Sequence, residues 1–240
     1  MTYNIRKGLG SSGRKSVLAA LRDAIRKVEA DVVFLQEVQG RSQRRHLSPS
    51  FNGNQLEYLA DSVWSHHAYG QNAIFDDSHH GNAILSKFPF SSWENVDVST
   101  NRLERRGLLH GVMQIPGTDT KVDLICLHFN LFESGRRVQV KRLADRVLGF
   151  VPTKGPLLIA GDFNDWRGQA CVTLRTQLQV EEVALSSRGQ HAKTFPAWFP
   201  MLPLDRIYFR DLKLVNVDVQ DHSHWRKLSD HQALVAEFQF

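Results

Sequence analysis

The sequence predicts an α/β fold in which two packed sheets carry helices on their outer faces. Three observations lead there. The chain opens strand, helix, strand: apolar residues from Thr2 to Ile5, a helical segment over 16–29, and the apolar run Val32 to Leu35. Further on, short apolar runs outnumber helical segments, and several follow one another closely enough to pair antiparallel. Most of these runs also begin or end on an acid, an amide or an imidazole. Two sheets stacked face to face bury that many strands.

The elements follow in order. The first strand, opening at Met1, is so short that a native start upstream is one expectation. A loop over 6–15 leads into the helix of 16–29, where Val17, Leu18, Leu21, Ala24, Ile25 and Val28 share one face at helical spacing. The strand Val32 to Leu35 ends in Gln36 and Glu37. Residues 41–54 are polar and rich in arginine, which predicts an exposed loop, and a second helix covers 55–63. Strands are expected at 81–85, 96–98, 108–115 and 121–127, with a basic turn at 102–106 between the second and third. A helix spans 136–150 through Val140, Leu143, Val147 and Leu148. After the strand at 157–160 come a helix near 169–177, a short strand near Glu181, and an irregular aromatic and proline-rich segment at 194–203. Strands at 205–209, 212–219 and 233–238 close the chain.

Composition narrows the class. Hydrophobic residues make up 42% and charged residues 23%, the balance of a globular chain rather than a disordered one. The 240 residues suit one domain over 1–240. A formal charge of +5 fits an anionic partner such as nucleic acid, a phosphate ester or an acidic phospholipid surface. Cys126 and Cys171 have no zinc spacing, and Cys126 lies inside an apolar run, so a buried thiol and a reducing, cytoplasmic setting are expected. No cationic leader with a hydrophobic core and no run of 18 apolar residues is present, so neither secretion by that route nor membrane spanning is expected. Nothing points to an obligate protein partner.

The chemistry centres on PLLIAGDFNDWR. Leu157 to Ala160 form a rigid strand, Gly161 lets the backbone turn, and Asp162, Asn164 and Asp165 project from its end. One such turn is commonly only a solvated strand end. Here Asn4, Glu37, Asn82, His128 with Asn130, Asp205, and Asp230 with His231 stand at comparable ends and suggest one site. Hard oxygen donors such as Glu37 and Asp230 select Mg²⁺ or Mn²⁺ over Zn²⁺. Imidazoles supply a base and phosphate contacts, and amides hold a water without repelling an anion. The absence of GxSxG, GxxxxGKS and HExxH removes several competing chemistries. His79, His80, His222 and His224 lack a neighbouring cysteine and read as exposed loop residues.

The ordered set TYNIR, LQEV, GNAILS, RR, LHFN, GDFND, LDRIY and SDH resembles the endonuclease/exonuclease/phosphatase superfamily, and most closely its small bacterial members with GDFNDW and SDH motifs. The resemblance runs from Asn4 to His231. It implies a four-layer α-β-β-α sandwich of two mixed, mostly antiparallel sheets, the DNase I-like fold. It also implies a hydrolase that uses a divalent metal to direct water at the phosphorus of a phosphodiester or phosphomonoester.

Position by position, Glu37 matches the metal-binding glutamate and Asn4 the first-strand asparagine near metal and phosphate. Asp162 matches the aspartate that positions or deprotonates water, with Asn164 beside it. His231 matches the histidine at the scissile phosphate, Asp205 the aspartate that fixes its tautomer, and Asp230 a neighbour that contributes to the metal site. His128 matches a second phosphate-facing position. Arg105 and Arg106 resemble a phosphate-contacting position, and Asn82 and Asn130 are further substrate-side candidates. Arg6 stands where apurinic nucleases carry an acid, which favours one ion, Mg²⁺ or Mn²⁺. Asn82 stands where some relatives place an acid that orients the second histidine.

Two functions remain: this hydrolase, or a catalytically silent phosphate- or nucleic-acid-binding module on the same fold. Glu37, Asp162 and His231 are all present, which favours the enzyme. For a nucleic-acid substrate, Arg41, Arg44, Arg45, Arg136, Arg137, Lys141 and Arg142 are candidates to track a backbone. For a phospholipid or small phosphoester, residues 194–203 would wall a pocket.

Overall fold

The computed structural model describes residues 1–13, 15–40, 54–75, 78–102 and 104–240, with backbone alone at 73–75 and 78. The arginine-rich loop expected at 41–54 lies outside these residues except for Asn54. In chain order the strands and helices are β1 (Thr2–Asn4), α1 (Leu18–Val28), β2 (Val32–Gln39), α2 (Gln55–Ala60), β3 (His66–Phe75), β4 (Ser78–Ser86), β5 (Phe90–Asp97) and β6 (Gly107–Gln114). There follow β7 (Lys121–His128), α3 (Glu133–Phe150), β8 (Leu157–Asp162), α4 (Gln169–Leu178), β9 (Glu181–Glu182), α5 (Val183–Arg188), β10 (Asp205–Arg210), β11 (Lys213–Val219) and β12 (Leu234–Gln239).

Among the described residues the strands form two sheets of six, ordered β11-β12-β1-β2-β4-β3 and β5-β6-β7-β8-β10-β9. Each sheet has one parallel pair at its centre, β1 with β2 and β7 with β8, and is otherwise antiparallel. The central strands read as continuous apolar runs because both their faces are covered: β7 is buried from Val122 to His128. Between the sheets lie Phe34, Ile84, Leu109, Leu124, Cys126, Ile207 and Leu234. The outer face of the first sheet is closed by α1 and α2 through Leu21, Ile25, Leu56 and Leu59. The outer face of the second is closed by α3 and α4 through Val140, Leu143, Val147 and Leu174. This is the four-layer arrangement expected.

The structure adds elements that polar sequence concealed. The strand expected at 81–85 is the centre of a longer β4, paired as a hairpin with β3, which has no apolar run of its own. Only the end of β5 was anticipated, because this edge strand exposes Ser91, Ser92, Trp93 and Glu94 and so shows little apolar signal. Helix α5 is short, and its signal is the cap: the Glu182 carboxylate accepts Ala184 N–H at 3.2 Å and Leu185 N–H at 2.8 Å. His79 and His80 are corrected from loop residues to half-buried positions on β4. Their strand has few apolar neighbours to reveal it. Both cysteines are free and buried. Among the described residues no helix is long and apolar enough to cross a membrane.

Candidate active site

Three adjacent strands of the second sheet each deliver one side chain to the same level. His128, at the end of β7, stands in register with Asp162 at the end of β8, and Asp162 in register with Asp205 at the start of β10. Gly161 makes this close packing possible. Its φ is 151°, and a Cβ there would meet the Leu127 carbonyl oxygen at 1.9 Å, so no side chain fits between β7 and β8 at this level. Across the sandwich, Asn4 is in register with Gln36, next to Glu37. The β2–β4 pairing slips between Leu35 and Val38, and Glu37 adopts a φ of 58° at that irregularity. A non-glycine residue held left-handed inside a strand is strained, and such strain gathers at functional sites.

Asp162 is the hub. Its Oδ2 accepts Asn4 Nδ2 at 3.1 Å and lies 3.4 Å from His128 Nε2 and 3.8 Å from His231 Nε2. Its Oδ1 accepts the Asn164 backbone N–H at 3.0 Å. Asn164 turns at a φ of 49° and donates its own amide to the Phe129 carbonyl at 2.9 Å, which fixes the loop after the aspartate. His231 Nδ1 lies 2.8 Å from Asp205 Oδ2, and Ser229 Oγ donates to the Asn4 carbonyl at 2.7 Å, tying the His231 loop to β1.

The two imidazoles differ in charge state. Burial works against a charged His231, but Asp205 and Asp162 outweigh it and hold its pKa up at about 10, so the ring is cationic. Burial drives His128 well below its ordinary value, and the positive charges of Arg106 and His231 add to this, so it is neutral. Burial pushes Asp162 up to about 6, with His231 opposing and Asp205 reinforcing the shift. One cation, one neutral imidazole and one carboxylate near neutrality therefore face each other.

The remaining expected residues divide. Arg106 joins the site: burial lowers its pKa while Glu104, Asp162 and Glu37 pull it back, so it feels both site carboxylates. Its Nε also donates to the Phe129 carbonyl at 3.3 Å. Arg105, also expected on the substrate side, is exposed and lies 3.9 Å from Asp97. Asn82, expected on the substrate side, ties the two sheets, its Nδ2 donating to the carbonyls of Gly107 at 3.0 Å and Cys126 at 3.4 Å. Asn130, expected there too, exchanges hydrogen bonds with Gln139 and donates to Thr100 Oγ1 at 2.7 Å, docking α3.

On the metal side, Asn4 presents amide hydrogens to both carboxylates, at 3.5 Å to Glu37 and 3.1 Å to Asp162, while its oxygen accepts Arg6 N–H at 3.1 Å. In this arrangement it bridges the two carboxylates. Asp230 is met by Arg6, whose Nε lies 3.2 Å from its Oδ2. The charge of Asp230 is thus already balanced within the protein. Arg136, expected to track a nucleic-acid backbone, is instead buried and donates to the Asn130 and Leu131 carbonyls.

Two contributions were missed. His80 and Lys7 belong to the same electrostatic neighbourhood: burial lowers the His80 pKa to about 4, and Lys7 and Arg106 push the same way. The pair His79-His80 directly before Gly81 was the available signal. The second is the support beneath GDFND. Asp165 caps α4 by accepting Gln169 N–H at 3.1 Å and Ala170 N–H at 2.8 Å, and it pairs with the buried Arg206 at 3.1 Å. The motif's first aspartate thus serves the site and its second anchors the loop.

Asp162, Asp205 and His231 each offer a ligand atom, all within 4.8 Å of one another. Glu37, whose Oε1 shares Asn4 Nδ2 with Asp162, adds a further hard oxygen donor beside this group.

This stacking of two mixed six-stranded sheets is the DNase I-like sandwich that endonucleases, exonucleases and phosphatases share. Residues 1–231 match the model of the Endonuclease/Exonuclease/phosphatase family, and the chain belongs to that family. It is 41% identical over 239 residues to uncharacterized protein YbhP of Escherichia coli K12, covering 99% of this chain and 94% of that protein. Among solved structures, the endonuclease/exonuclease/phosphatase from Beutenbergia cavernae superposes with a TM-score of 0.80 at 19% identity, over 99% of this chain and 70% of the other. The D. rerio TDP2 complex with single-strand DNA product gives 0.70 at 19% identity, over 100% and 97%.

Proposed function

We propose that the protein is a divalent-metal-dependent phosphodiesterase in which Asp162 positions and deprotonates the attacking water, His231 serves the phosphate with Asp205 behind it, and Glu37 holds the metal. The observation that carries this reading is the convergence on Asp162 Oδ2 of Asn4, His128 and His231 from three distant parts of the chain. A carboxylate whose pKa lies near neutrality takes a proton from water more readily than one fully stabilised as an anion. The cationic His231, oriented by Asp205, donates Nε2–H to a phosphate oxygen and offsets charge that builds during attack. Neutral His128 offers a second Nε2–H donor, and Arg106 supplies a fixed positive charge.

The donor set near Glu37 is oxygen from carboxylates, which fits one Mg²⁺ or Mn²⁺ held by Glu37 with Asp162. Such an ion supplies Lewis-acid polarisation of the phosphate and a more acidic water. Arg6 against Asp230 supports a single ion, because the family's further acid positions are here a cation and a compensated anion. Family membership and the DNA product bound by D. rerio TDP2 support nucleic acid as substrate. Exposed Phe132 and Trp166, on the loops after β7 and β8, support it further as surfaces for stacked bases. Two free cysteines support a cytoplasmic setting.

The test is turnover of a single-stranded oligonucleotide, bis(p-nitrophenyl) phosphate, p-nitrophenyl phosphate and a phospholipid by EDTA-stripped protein, before and after Mg²⁺ or Mn²⁺. Diester hydrolysis restored by the ion, and lost in Glu37→Gln, is expected. Full turnover without metal would sink the metal assignment. Oligonucleotide binding with no hydrolysis of any substrate would identify a silent binding module.

A further inference from the structure

On the far side of β10 from the candidate active site, the sequence left Cys171 unassigned. The fold gives it partners. Glu182, on β9, is buried, and its carboxylate is held by the N–H groups of Ala184 and Leu185. That carboxylate lies 2.8 Å from His191 Nδ1. The ring and the Cys171 thiol line one cleft and each shifts the other's titration, and the Tyr208 hydroxyl also bears on the thiol. Behind Tyr208, the buried Arg206 donates to its oxygen at 3.2 Å. A thiol, an imidazole and a fixed carboxylate thus stand in line, the arrangement that activates a sulfur nucleophile.

The line meets solvent through the half-buried His191, while Cys171 and Glu182 are covered. Cys171 and His191 lie on a cleft of about 330 Å³ whose walls include Trp166, Val172 and two cations, Arg167 and Arg175. Burial alone would push the thiol up, but hydrogen bonds from His191 and Tyr208, with the charges of His191 and Arg206, hold it below its ordinary value. His191 is held up at about 9, by its bonds to Cys171 and then Glu182, against burial. Cys126 is the opposite case: burial in the apolar core drives it up to about 12.

We propose that Cys171 is a thiol-modification site, activated by His191 and Glu182, that accepts small disulfides carrying negative charge. The Cys171 thiolate attacks one sulfur of R–S–S–R, a mixed disulfide Cys171–S–S–R forms, and R–S⁻ leaves, taking a proton from His191 or from water. No net oxidation is needed beyond the disulfide consumed. Arg167 and Arg175 favour a carboxylate-bearing R group. This proposal does not depend on the phosphodiesterase reading.

The probe is 5,5′-dithiobis(2-nitrobenzoic acid), a dianionic disulfide, compared with neutral 4,4′-dithiodipyridine on the folded chain, with the modified peptide found by mass spectrometry. One thiol, Cys171, is expected to react in the native state, and Cys126 only after denaturation. At about pH 6.5 an ordinary thiol is roughly 1% thiolate, and lower nucleophilicity offsets part of the gain from a depressed pKa. His191→Gln is therefore expected to slow the reaction about tenfold there and to restore an ordinary rise of rate with pH. Arg175→Ala should slow the dianionic probe and leave the neutral one unchanged. No native-state reaction, or a wild-type rate that follows an ordinary thiol and survives His191→Gln, would overturn the activation. Equal effects of Arg175→Ala on both probes would overturn the anionic preference.

Discussion

Replacing Asp205 with asparagine removes a negative charge 2.8 Å from His231 Nδ1 while keeping the side chain's shape. Two unit charges about 4 Å apart at an effective dielectric near 20 attract by about 4 kcal/mol, which is roughly 3 pKa units. Burial opposes the rise of His231 from its ordinary 6.5 to about 10, and Asp205 is the largest of the charges that produce it, ahead of Asp162 and Asp230. In Asp205→Asn the ring should fall by about 3 units and become neutral near pH 8. NMR titration of the histidine ring protons in metal-free protein reads this directly. Stability should follow. A folded pKa raised above the unfolded one contributes stability that is complete below 6.5 and is lost as pH rises toward 10. Urea titrations across that window should show wild type weakening with pH and Asp205→Asn nearly flat. Turnover of a diester should drop about 10²–10⁴-fold in Asp205→Asn and in His231→Ala. The double variant should be little worse than either, because the two side chains act as one unit. A wild-type His231 that titrates near 6.5, or one unmoved by Asp205→Asn, would refute the charge assignment. Multiplicative losses in the double variant would refute the pairing.

Gly161→Ala places a Cβ against the Leu127 carbonyl and should cost about 3 kcal/mol or more in denaturant unfolding, since a β7 backbone atom must move. An unchanged midpoint would mean that β7 and β8 tolerate separation at the site. Arg206→Met leaves the buried Asp165 carboxylate without its cation and should cost about 3–5 kcal/mol by the same measurement. A loss below about 1 kcal/mol would show that the α4 cap alone stabilises Asp165.

The layers of this fold were legible because its central strands are apolar on both faces and its longer helices are amphipathic. What hid β3, β5 and α5 was the opposite condition. An edge strand with one wet face, or a six-residue helix started by one carboxylate, leaves little periodic signal. Asp162, Asp205, His128 and His231 were legible as strand ends, and the register of β7, β8 and β10 then brings the first three to one level.

The amides were read less well, for a physical reason. A carboxylate at a buried strand end must find a cation, a metal or several donors, so its presence already implies a site. An amide is neutral and bonds backbone carbonyls equally well, so the amides of Asn82, Asn130 and Asn164 hold the scaffold while that of Asn4 holds Asp162. Sequence alone cannot separate these cases, because all four asparagines stand at or beside strands. What separates them is the partner opposite. Gly107 and Cys126 present only carbonyls to Asn82, whereas Glu37 and Asp162 present two carboxylates to Asn4. An uncharged donor shared between two carboxylates limits their repulsion without neutralising either. Both charges therefore stay available, and a cation or a phosphate's attacking water can use them.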